Sequence, residues 1–284
     1  MADEVIQHVD PDGVVTDLAV AWDVSGRYGV TVRLDEQGVP GQPGLLLRDV
    51  QHGARDISLS LWINAPTPAE LQARLRDLVH RMDPRRGDSV LRMTGPAGDT
   101  REITVRVVAG LDVAERLGDT SGPTTQRMPI MCRAYDPYWA AGSDIVQQFQ
   151  RGEAPKFFPF FPLRLASSEI WADVTVTNPG DVDAWPVWTI VGPGSHPVIR
   201  NETTGKVLDL AVDLGGGESV TIDTRPRRKE VTRSDGTSAF GRLSWGSSFW
   251  PLAPGTNAIS IEMGSAVSAD SRVVLSYRPR YLSM

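Results

Sequence analysis

Short runs in which every second residue is apolar fill the C-terminal half of the chain. They comprise Val174/Val176, Leu208/Leu210/Val212/Leu214, Val220/Ile222, Ile259/Ile261/Met263 and Val273/Leu275/Tyr277. Alternation at period two is typical of a β-strand that buries one face, and almost no helical periodicity interrupts it. Short alternating strands separated by turn residues predict an antiparallel β-sandwich for this half of the chain.

The N-terminal half contains one helix signal. The sequence Thr67-Pro-Ala-Glu70 supplies the threonine and glutamate of a capping box, with a proline that suits the first turn. The apolar residues that follow share one helical face: Leu71, Leu75, Leu78 and Met82. Asp83-Pro84 ends the segment, because the residue before a proline disfavours the helical conformation. The sequence therefore predicts an amphipathic helix packed on an apolar partner.

That partner is expected to be a β-sheet or barrel. Residues 57–63 alternate between apolar and polar side chains before the helix, and residues 103–107 do so after it. Residues 90–103 predict a β-hairpin with a Gly/Pro/Asp turn. The predicted fold class is mainly β, with a sheet or barrel carrying one packed α-helix, followed by an antiparallel β-sandwich.

Two domains are expected from the length of 284 residues. The polar residues 147–152 suit an exposed connection, and Pro155, Pro159 and Pro162 exclude a continuous helix after them. We therefore place the boundary near residue 150 and predict domains at residues 1–150 and 151–284.

Composition and motifs argue against several functional classes. The net charge of −6 opposes nucleic-acid binding, and no apolar run approaches the ~20 residues of a membrane span. The acidic N-terminus lacks a signal-peptide pattern, so synthesis in the cytoplasm is expected. Cys132 is the only cysteine, which excludes an intrachain disulfide. The four histidines form no metal-binding pattern, and no Gly-x-Ser-x-Gly sequence occurs. We predict no catalytic, metal or cofactor site.

Several short motifs occur in a recognisable order. They are Tyr135-Asp-Pro-Tyr-Trp139, Thr177-Asn-Pro-Gly-Asp181, Trp185-Pro-Val-Trp188, Asn201-Glu-Thr-Thr-Gly205, Gly217-Glu218 and Pro254-Gly-Thr-Asn257. In this order and spacing the chain resembles the siphophage distal tail proteins. The likeness covers most of the chain and is closer in its C-terminal half.

The resemblance implies a structural role in a virion. It implies a tail-tube-like N-terminal belt domain, a galectin-like C-terminal β-sandwich, and a ring, typically a hexamer, between tail tube and tail tip. The implied partners are further copies of the chain, the tail tube protein, the tail-tip hub or tape-measure protein, and receptor-binding proteins, with DNA only in transit. The family brings no catalytic residues and no cofactor.

Two surfaces are candidates for contacts with partners. We expect the hairpin of residues 90–108 to reach a neighbouring copy, because an arm that extends an adjacent sheet satisfies its open edge. Its candidate interface residues are Val90, Leu91, Arg92, Met93, Ile103 and Val105. A second aromatic cluster either covers the sandwich or the crease between domains, or docks a partner: Phe157, Phe158, Phe160 and Phe161.

The alternative function is carbohydrate binding that aids adhesion to a host surface. A β-sandwich can present tryptophans to sugar rings, and Trp245 and Trp250 are the candidate stacking residues. Trp185 and Trp188 border a proline-rich turn and a predicted strand, where packing inside the sandwich is the commoner outcome. Because no complete sugar-binding motif is present, we expect no tight affinity for glycans.

Overall fold

The computed structural model describes residues 4–150, 170–265 and 270–284. The chain divides into two compact units, each with its own hydrophobic core. The N-terminal unit comprises the residues up to Gly142 together with Tyr281–Met284, and the C-terminal unit comprises Ser143–Arg280. The predicted fold class, mainly β with one packed α-helix, is confirmed.

The N-terminal unit is built from ten strands and one helix in the described residues. They are β1 Val5–Val9, β2 Val15–Asp17, β3 Val20–Ser25, β4 Val32–Gly38, β5 Leu45–His52, β6 Arg55–Asn64, α1 Pro68–Arg81, β7 Ser89–Thr94, β8 Thr100–Ala109, β9 Thr125–Ala134 and β10 Trp139–Ala141. Seven strands form one antiparallel sheet in the order β2-β1-β7-β8-β9-β6-β3, and β10 pairs with β8. The strands β4 and β5 pair only with each other in the described residues.

The helix α1 follows its sequence signals closely. The Thr67 side chain accepts a hydrogen bond from the backbone N–H of Glu70 at 3.3 Å, and the Thr67 hydroxyl donates to the Glu70 carboxylate. The first bond satisfies a backbone donor at the helix start, as expected of an N-cap threonine. The Glu70 carboxylate meets the Thr67 hydroxyl and not the Thr67 backbone N–H, so only the threonine half of the predicted capping box is formed. Leu78 and Met82 are buried in the core of the unit, whereas Leu75 is only partly buried against it.

The loss of stability on replacing a leucine of this helix face by alanine should therefore increase with the burial of that leucine. We expect Leu78→Ala to lower the free energy of unfolding by about 2–4 kcal/mol, because it leaves a cavity in the core. Leu75→Ala should cost roughly half as much, since part of the Leu75 side chain already contacts water. Urea unfolding of both variants measures the difference, and equal midpoints would contradict this placement of the helix.

The only cysteine lies at the centre of the N-terminal core. Cys132 is fully buried on β9, and burial raises the pKa of its thiol to about 12. A thiol held neutral in an apolar interior reacts only when the surrounding structure opens. Its labelling rate is therefore a natural reporter of the stability of the N-terminal unit.

His8 on β1 is also fully buried, and neither ring nitrogen has a hydrogen-bond partner among the described residues. Burial holds the pKa of His8 below its ordinary value of 6.5, Asp10 opposes that shift, and Arg81 adds to it. A neutral imidazole therefore belongs to the folded state.

Stability should fall when the pH drops below the His8 pKa of the unfolded chain, 6.5. The unfolded chain takes up the proton first, so acidification favours unfolding until the pH passes below the lower folded pKa. Asp10 and Asp56 have pKa values held below 3.8 and act only at lower pH. The urea midpoint should fall between pH 7 and pH 5 in the wild type and in His80→Gln, the control at an exposed histidine. In His8→Leu the midpoint should change much less over the same pH range. A slope unchanged in His8→Leu would contradict the assignment.

The C-terminal unit is an antiparallel sandwich of two five-stranded sheets. Its strands are β11 Ile145–Gln150, β12 Ile170–Asn178, β13 Val187–Val191, β14 Gly194–Asn201, β15 Lys206–Asp209, β16 Asp213–Leu214, β17 Ser219–Asp223, β18 Glu230–Arg233, β19 Gly255–Gly264 and β20 Arg272–Tyr277; β21 Arg280–Tyr281 follows at the boundary. One sheet has the order β11-β20-β13-β17-β18, and the other has the order β12-β19-β14-β15, with β16 beside β14.

The division between the units differs from the predicted boundary near residue 150. It falls at Gly142–Ser143, because β11 pairs along its whole length with β20 of the C-terminal unit. The glutamines that suggested an exposed connection belong to an edge strand, in which Gln148 and Gln150 point outward while Ile145 and Phe149 pack on the sandwich core. An edge strand with one solvated face has the polarity of a linker, and this explains the error.

Three buried asparagines explain why the C-terminal motifs have their composition. Asn178 donates hydrogen bonds to the carbonyl oxygens of Val182 and Leu252, both at 3.0 Å, and its own side-chain oxygen accepts from Gly180 at 2.9 Å. Asn257 both accepts from and donates to the backbone of Ala253, and the Asn201 side-chain oxygen accepts from the Thr204 N–H at 3.1 Å. Each asparagine satisfies backbone groups that would otherwise be buried without partners.

Candidate interaction surface

The strands β4 and β5 form a hairpin whose residues are all exposed. Their cross-strand pairs include Val32 with His52 and Leu34 with Val50, and an extra residue on β5 shifts the register before Glu36 pairs with Leu47. Paired residues share a face of a two-stranded ribbon, and the faces alternate along each strand. The hairpin therefore has two chemically different faces.

One face of the hairpin is mostly apolar, although Glu36 and His52 also lie on it, and the other face is mostly polar. The apolar side chains that the register places together, each at least half exposed, are Val32, Leu34, Leu45, Leu47 and Val50. The opposite face carries Arg33, Asp35, Gln37, Leu46, Asp49 and Gln51. Nothing in the described residues covers the apolar face.

An uncovered face of this kind is unusual in a stable protein. A two-stranded hairpin without further packing is at best marginally stable in water, and a large exposed apolar patch normally marks an interaction site. In the sequence, residues 39–44 are rich in glycine and proline, which indicates a turn. The apolar residues Leu45, Leu46 and Leu47 follow this turn directly. The exposed hairpin is the candidate interaction surface of the N-terminal unit.

The base of the hairpin is held firmly by its own unit. His52, the last residue of β5, shares a hydrogen bond of 2.9 Å between its Nδ1 and the Tyr138 hydroxyl, and it packs edge to face on that ring with centroids 5.6 Å apart. The Gly53 N–H donates to the Thr31 carbonyl at 2.7 Å and so closes the base of the two strands. The arm therefore projects from a fixed root.

Arg55 anchors the chain immediately after this root. Its buried guanidinium donates to the carbonyl oxygens of Pro137 at 2.7 Å, Gly26 at 2.8 Å and Arg27 at 2.9 Å, and also to that of Leu282. All these acceptors are backbone carbonyls, and burial lowers the pKa of Arg55 from its ordinary value. One cation thus ties the start of β6 to the loop before β4 and to the C-terminal residues of the unit.

The hairpin predicted to reach a neighbour does exist, as β7 and β8, but it lies within the sheet of its own unit. Leu91, Met93, Ile103 and Val105 are buried core residues. Only Val90 and Arg92 keep partial exposure, and Arg92 pairs with Glu102 at 2.7 Å. Both strands have neighbours on each side, so this hairpin has no open edge with which to extend an adjacent sheet.

The two candidate tryptophans of the C-terminal unit have opposite environments. Trp250 is fully buried and packs edge to face on Trp188 with ring centroids 5.7 Å apart, so it cannot stack on a sugar. Trp245 is fully exposed. Phe157, Phe158, Phe160 and Phe161 lie outside the described residues.

The described residues contain no group of three or more His, Cys, Asp or Glu side chains placed to hold a metal ion. None of their helices has the length and apolar character needed to cross a membrane.

Part of the chain is similar in sequence to a family of phage tail components. Residues 179–281 match the family model of the siphovirus-type tail component, C-terminal domain. No curated protein sequence matches the chain.

Solved structures show the same fold over the whole chain. The Dit protein (gp 19.1) of phage SPP1, a hub of the adsorption apparatus in phages that infect Gram-positive hosts, superimposes with a TM-score of 0.70 at 13% identity, covering 98% of this chain and 99% of that one. A chain of the activated phage p2 baseplate with strontium has a TM-score of 0.54 at 11% identity, covering 97% and 98%. The corresponding p2 baseplate with calcium gives 0.53 at 11% identity, with 98% of both chains covered.

The sequence match of residues 179–281 and the shared fold of the whole chain together confirm the resemblance to siphophage distal tail proteins.

Proposed function

We propose that the chain is the structural hub protein of a phage tail tip, and that its copies form a closed ring, a hexamer by analogy with the distal tail proteins. The observation that supports the ring most directly is the uncovered apolar face of β4 and β5. A second copy is the occupant that this face fits, because a ring needs a contact between two different surfaces of identical subunits. The arm of one copy then lies on the N-terminal unit of the next.

The ring joins the tail tube to the tip of the virion. In this arrangement the tail tube protein binds one side, the tail-tip hub or tape-measure protein binds the other, and receptor-binding proteins attach at the periphery. The net charge of −6 is compatible with a channel through which DNA passes, since like charges discourage adhesion. The matched family and structures are tail components and not enzymes.

A pair of substitutions on neighbouring residues tests the ring. Leu47→Glu places a carboxylate on the apolar face of the hairpin, and Leu46→Glu places one on the polar face at similar exposure. We expect the wild type and Leu46→Glu to form rings by light scattering and negative-stain microscopy. Leu47→Glu should weaken association at least tenfold, because a buried unpaired charge is strongly unfavourable.

Two outcomes of this experiment would contradict the proposal. A wild-type chain that stays monomeric up to the concentrations of an assembling tail would refute the ring. Equal association of the two glutamate variants would mean that the apolar face of β4 and β5 is not the contact surface.

A further inference from the structure

The turn that carries Trp245 is fixed although the side chain is fully exposed. Ser244 N–H donates to the Asp209 carbonyl at 2.9 Å, and Ser248 N–H donates to the Val207 carbonyl at 2.9 Å. The Ser247 hydroxyl accepts from the Asp209 N–H at 2.9 Å and donates to the Asp209 carbonyl at 3.0 Å. The turn is thus bound to β15, the edge strand of its sheet, which fixes the backbone that carries Trp245.

Further aromatic rings and cations surround this turn. Phe240 and Phe249, which flank it along the chain, stack with centroids 5.8 Å apart, and Lys229 lies over the Phe249 ring at 5.7 Å. The turn before β18 is basic and exposed, with Arg227 and Arg228 beside Lys229. A single exposed apolar residue needs no explanation, but a tryptophan on a fixed turn beside stacked rings and cations has the composition of an interface anchor. We call the set Arg227, Arg228, Lys229, Phe240, Arg242, Trp245 and Phe249 the aromatic–basic surface.

Arg227, Lys229 and Arg242 form no ion pair with a carboxylate within the part of the chain that the structure describes, whereas the charge of Arg228 helps to lower the pKa of Asp223. This contrasts with the rest of a chain of net charge −6, in which many arginines pair with aspartate or glutamate. The aromatic–basic surface therefore fits an acidic partner surface that has room for an indole.

The same unit contains an acidic recess near the opposite edge of the same sheet. A pocket of about 470 Å³ is lined by β12, β19 and the end of β14. Thr175, Ala258 and Ser260 form its floor on the outer face of the sheet, and Asp173, Glu202 and Glu262 supply carboxylates. The side chains of Val174 and Ile259 pack on the sandwich core instead. Glu202 accepts from the Ser260 hydroxyl at 2.8 Å and lies 3.5 Å from Arg200, so one of the three acids is partly compensated. We call this the acidic pocket.

We infer that the C-terminal units of neighbouring copies bind head to tail, with Trp245 of one copy in the acidic pocket of the next. The inference rests on the proposed ring. The aromatic–basic surface lies at the β15 edge and the acidic pocket lies at the β12 side of one sheet, which is the pairing of two different surfaces that a ring requires. Opposite charges meet at the contact, and the pocket has room for an indole.

This contact is a second one, added to that of the hairpin. A tryptophan anchor with a few ion pairs buries less surface than a stable interface needs on its own. Two copies already joined through the hairpin hold their C-terminal units at a high effective concentration, so a weak second contact still forms. We expect Trp245→Ala to weaken ring association about tenfold without abolishing it.

Engineered cysteines test the contact directly in the full chain. Gly246 lies beside Trp245, and a Cβ there meets no atom within 4 Å, so Gly246→Cys keeps the tryptophan in place. Thr175→Cys places the second thiol in the wall of the acidic pocket. The matched control combines Gly246→Cys with Gly216→Cys, a similarly open glycine in a turn outside the pocket. The native Cys132 is buried and should not react.

A short bis-maleimide should join neighbouring copies into a ladder only in the Gly246/Thr175 pair, with ring formation checked by light scattering. Rings without a ladder would overturn this inference and leave the proposed ring intact. The absence of both rings and ladder would overturn both. A Trp245→Ala variant with unchanged association but lost binding to host cell-wall polysaccharide would assign the aromatic–basic surface to carbohydrate instead.

Discussion

Replacing Arg55 by leucine is expected to destabilise the N-terminal unit by about 3–5 kcal/mol. The guanidinium is buried and donates to backbone carbonyls of Gly26, Arg27, Pro137 and Leu282. Leucine fills part of the volume but removes the side-chain donor of the Gly26, Pro137 and Leu282 carbonyls, whereas the Arg27 carbonyl keeps the Trp139 indole and the Met284 N–H. An unsatisfied buried acceptor costs more than an average hydrogen bond contributes. The labelling rate of Cys132 measures the opening of this unit.

Arg106→Leu is the matched control for this experiment. Arg106 forms an ion pair with Asp88 at 2.6 Å on the surface, where such pairs contribute little to stability. Its labelling rate should stay close to that of the wild type. Arg55→Leu should also weaken the ring, since Arg55 fixes the loop before β4 and lies next to the root of the exposed hairpin. A Cys132 labelling rate unchanged in Arg55→Leu would show that the guanidinium does not hold the unit together.

The role of Arg55 could not be read from the sequence. The alternation of residues 57–63 predicts β6 correctly, because each buried side chain there alternates with one on the other face. Arg55 continues that alternation as a charged residue at a strand end, where a solvated side chain is the usual outcome. The carbonyls that accept from Arg55 come from distant parts of the chain, including Leu282. No local sequence pattern predicts that they lie close to Arg55.

The features predicted correctly are those whose signals are local. The N-cap at Thr67, the face of α1 and the alternating strands of the sandwich each depend on neighbours within a few residues. The alternation of Leu91 and Met93 with Ile103 and Val105 was equally local evidence for a buried sheet. The expectation of an intersubunit contact assumed an open sheet edge at this hairpin, and the structure pairs both strands on each side.

The exposed hairpin could not be identified from alternation alone. A strand that is apolar on one face has the same pattern whether its own core or another molecule covers that face. Only the tertiary structure shows that β4 and β5 pair with each other and that the described residues leave Leu34, Leu47 and Val50 uncovered. Sequence therefore predicts the amphipathic strand, and the structure shows which strand is left for a partner.

Trp188→Ala is expected to lower the free energy of unfolding of the C-terminal unit by about 3–5 kcal/mol. Trp188 is fully buried on β13, the central strand of its sheet, and its ring meets Trp250 at 61° with centroids 5.7 Å apart. Removing it leaves a large cavity between the two sheets and ends this aromatic contact. Urea unfolding followed by far-ultraviolet circular dichroism measures the loss, and the labelling rate of Cys132 should stay unchanged because that thiol lies in the core of the N-terminal unit.

Trp245→Ala makes the same chemical change at a fully exposed position of the same unit. Its unfolding midpoint should match that of the wild type, since no buried contact is lost and the turn is held through Ser244, Ser247 and Ser248. This comparison separates folding from assembly: a variant that folds normally but associates more weakly has lost an intermolecular contact. A Trp245→Ala midpoint lowered as far as that of Trp188→Ala would instead place the indole in the fold of its own unit, and the tryptophan could then not anchor a neighbouring copy.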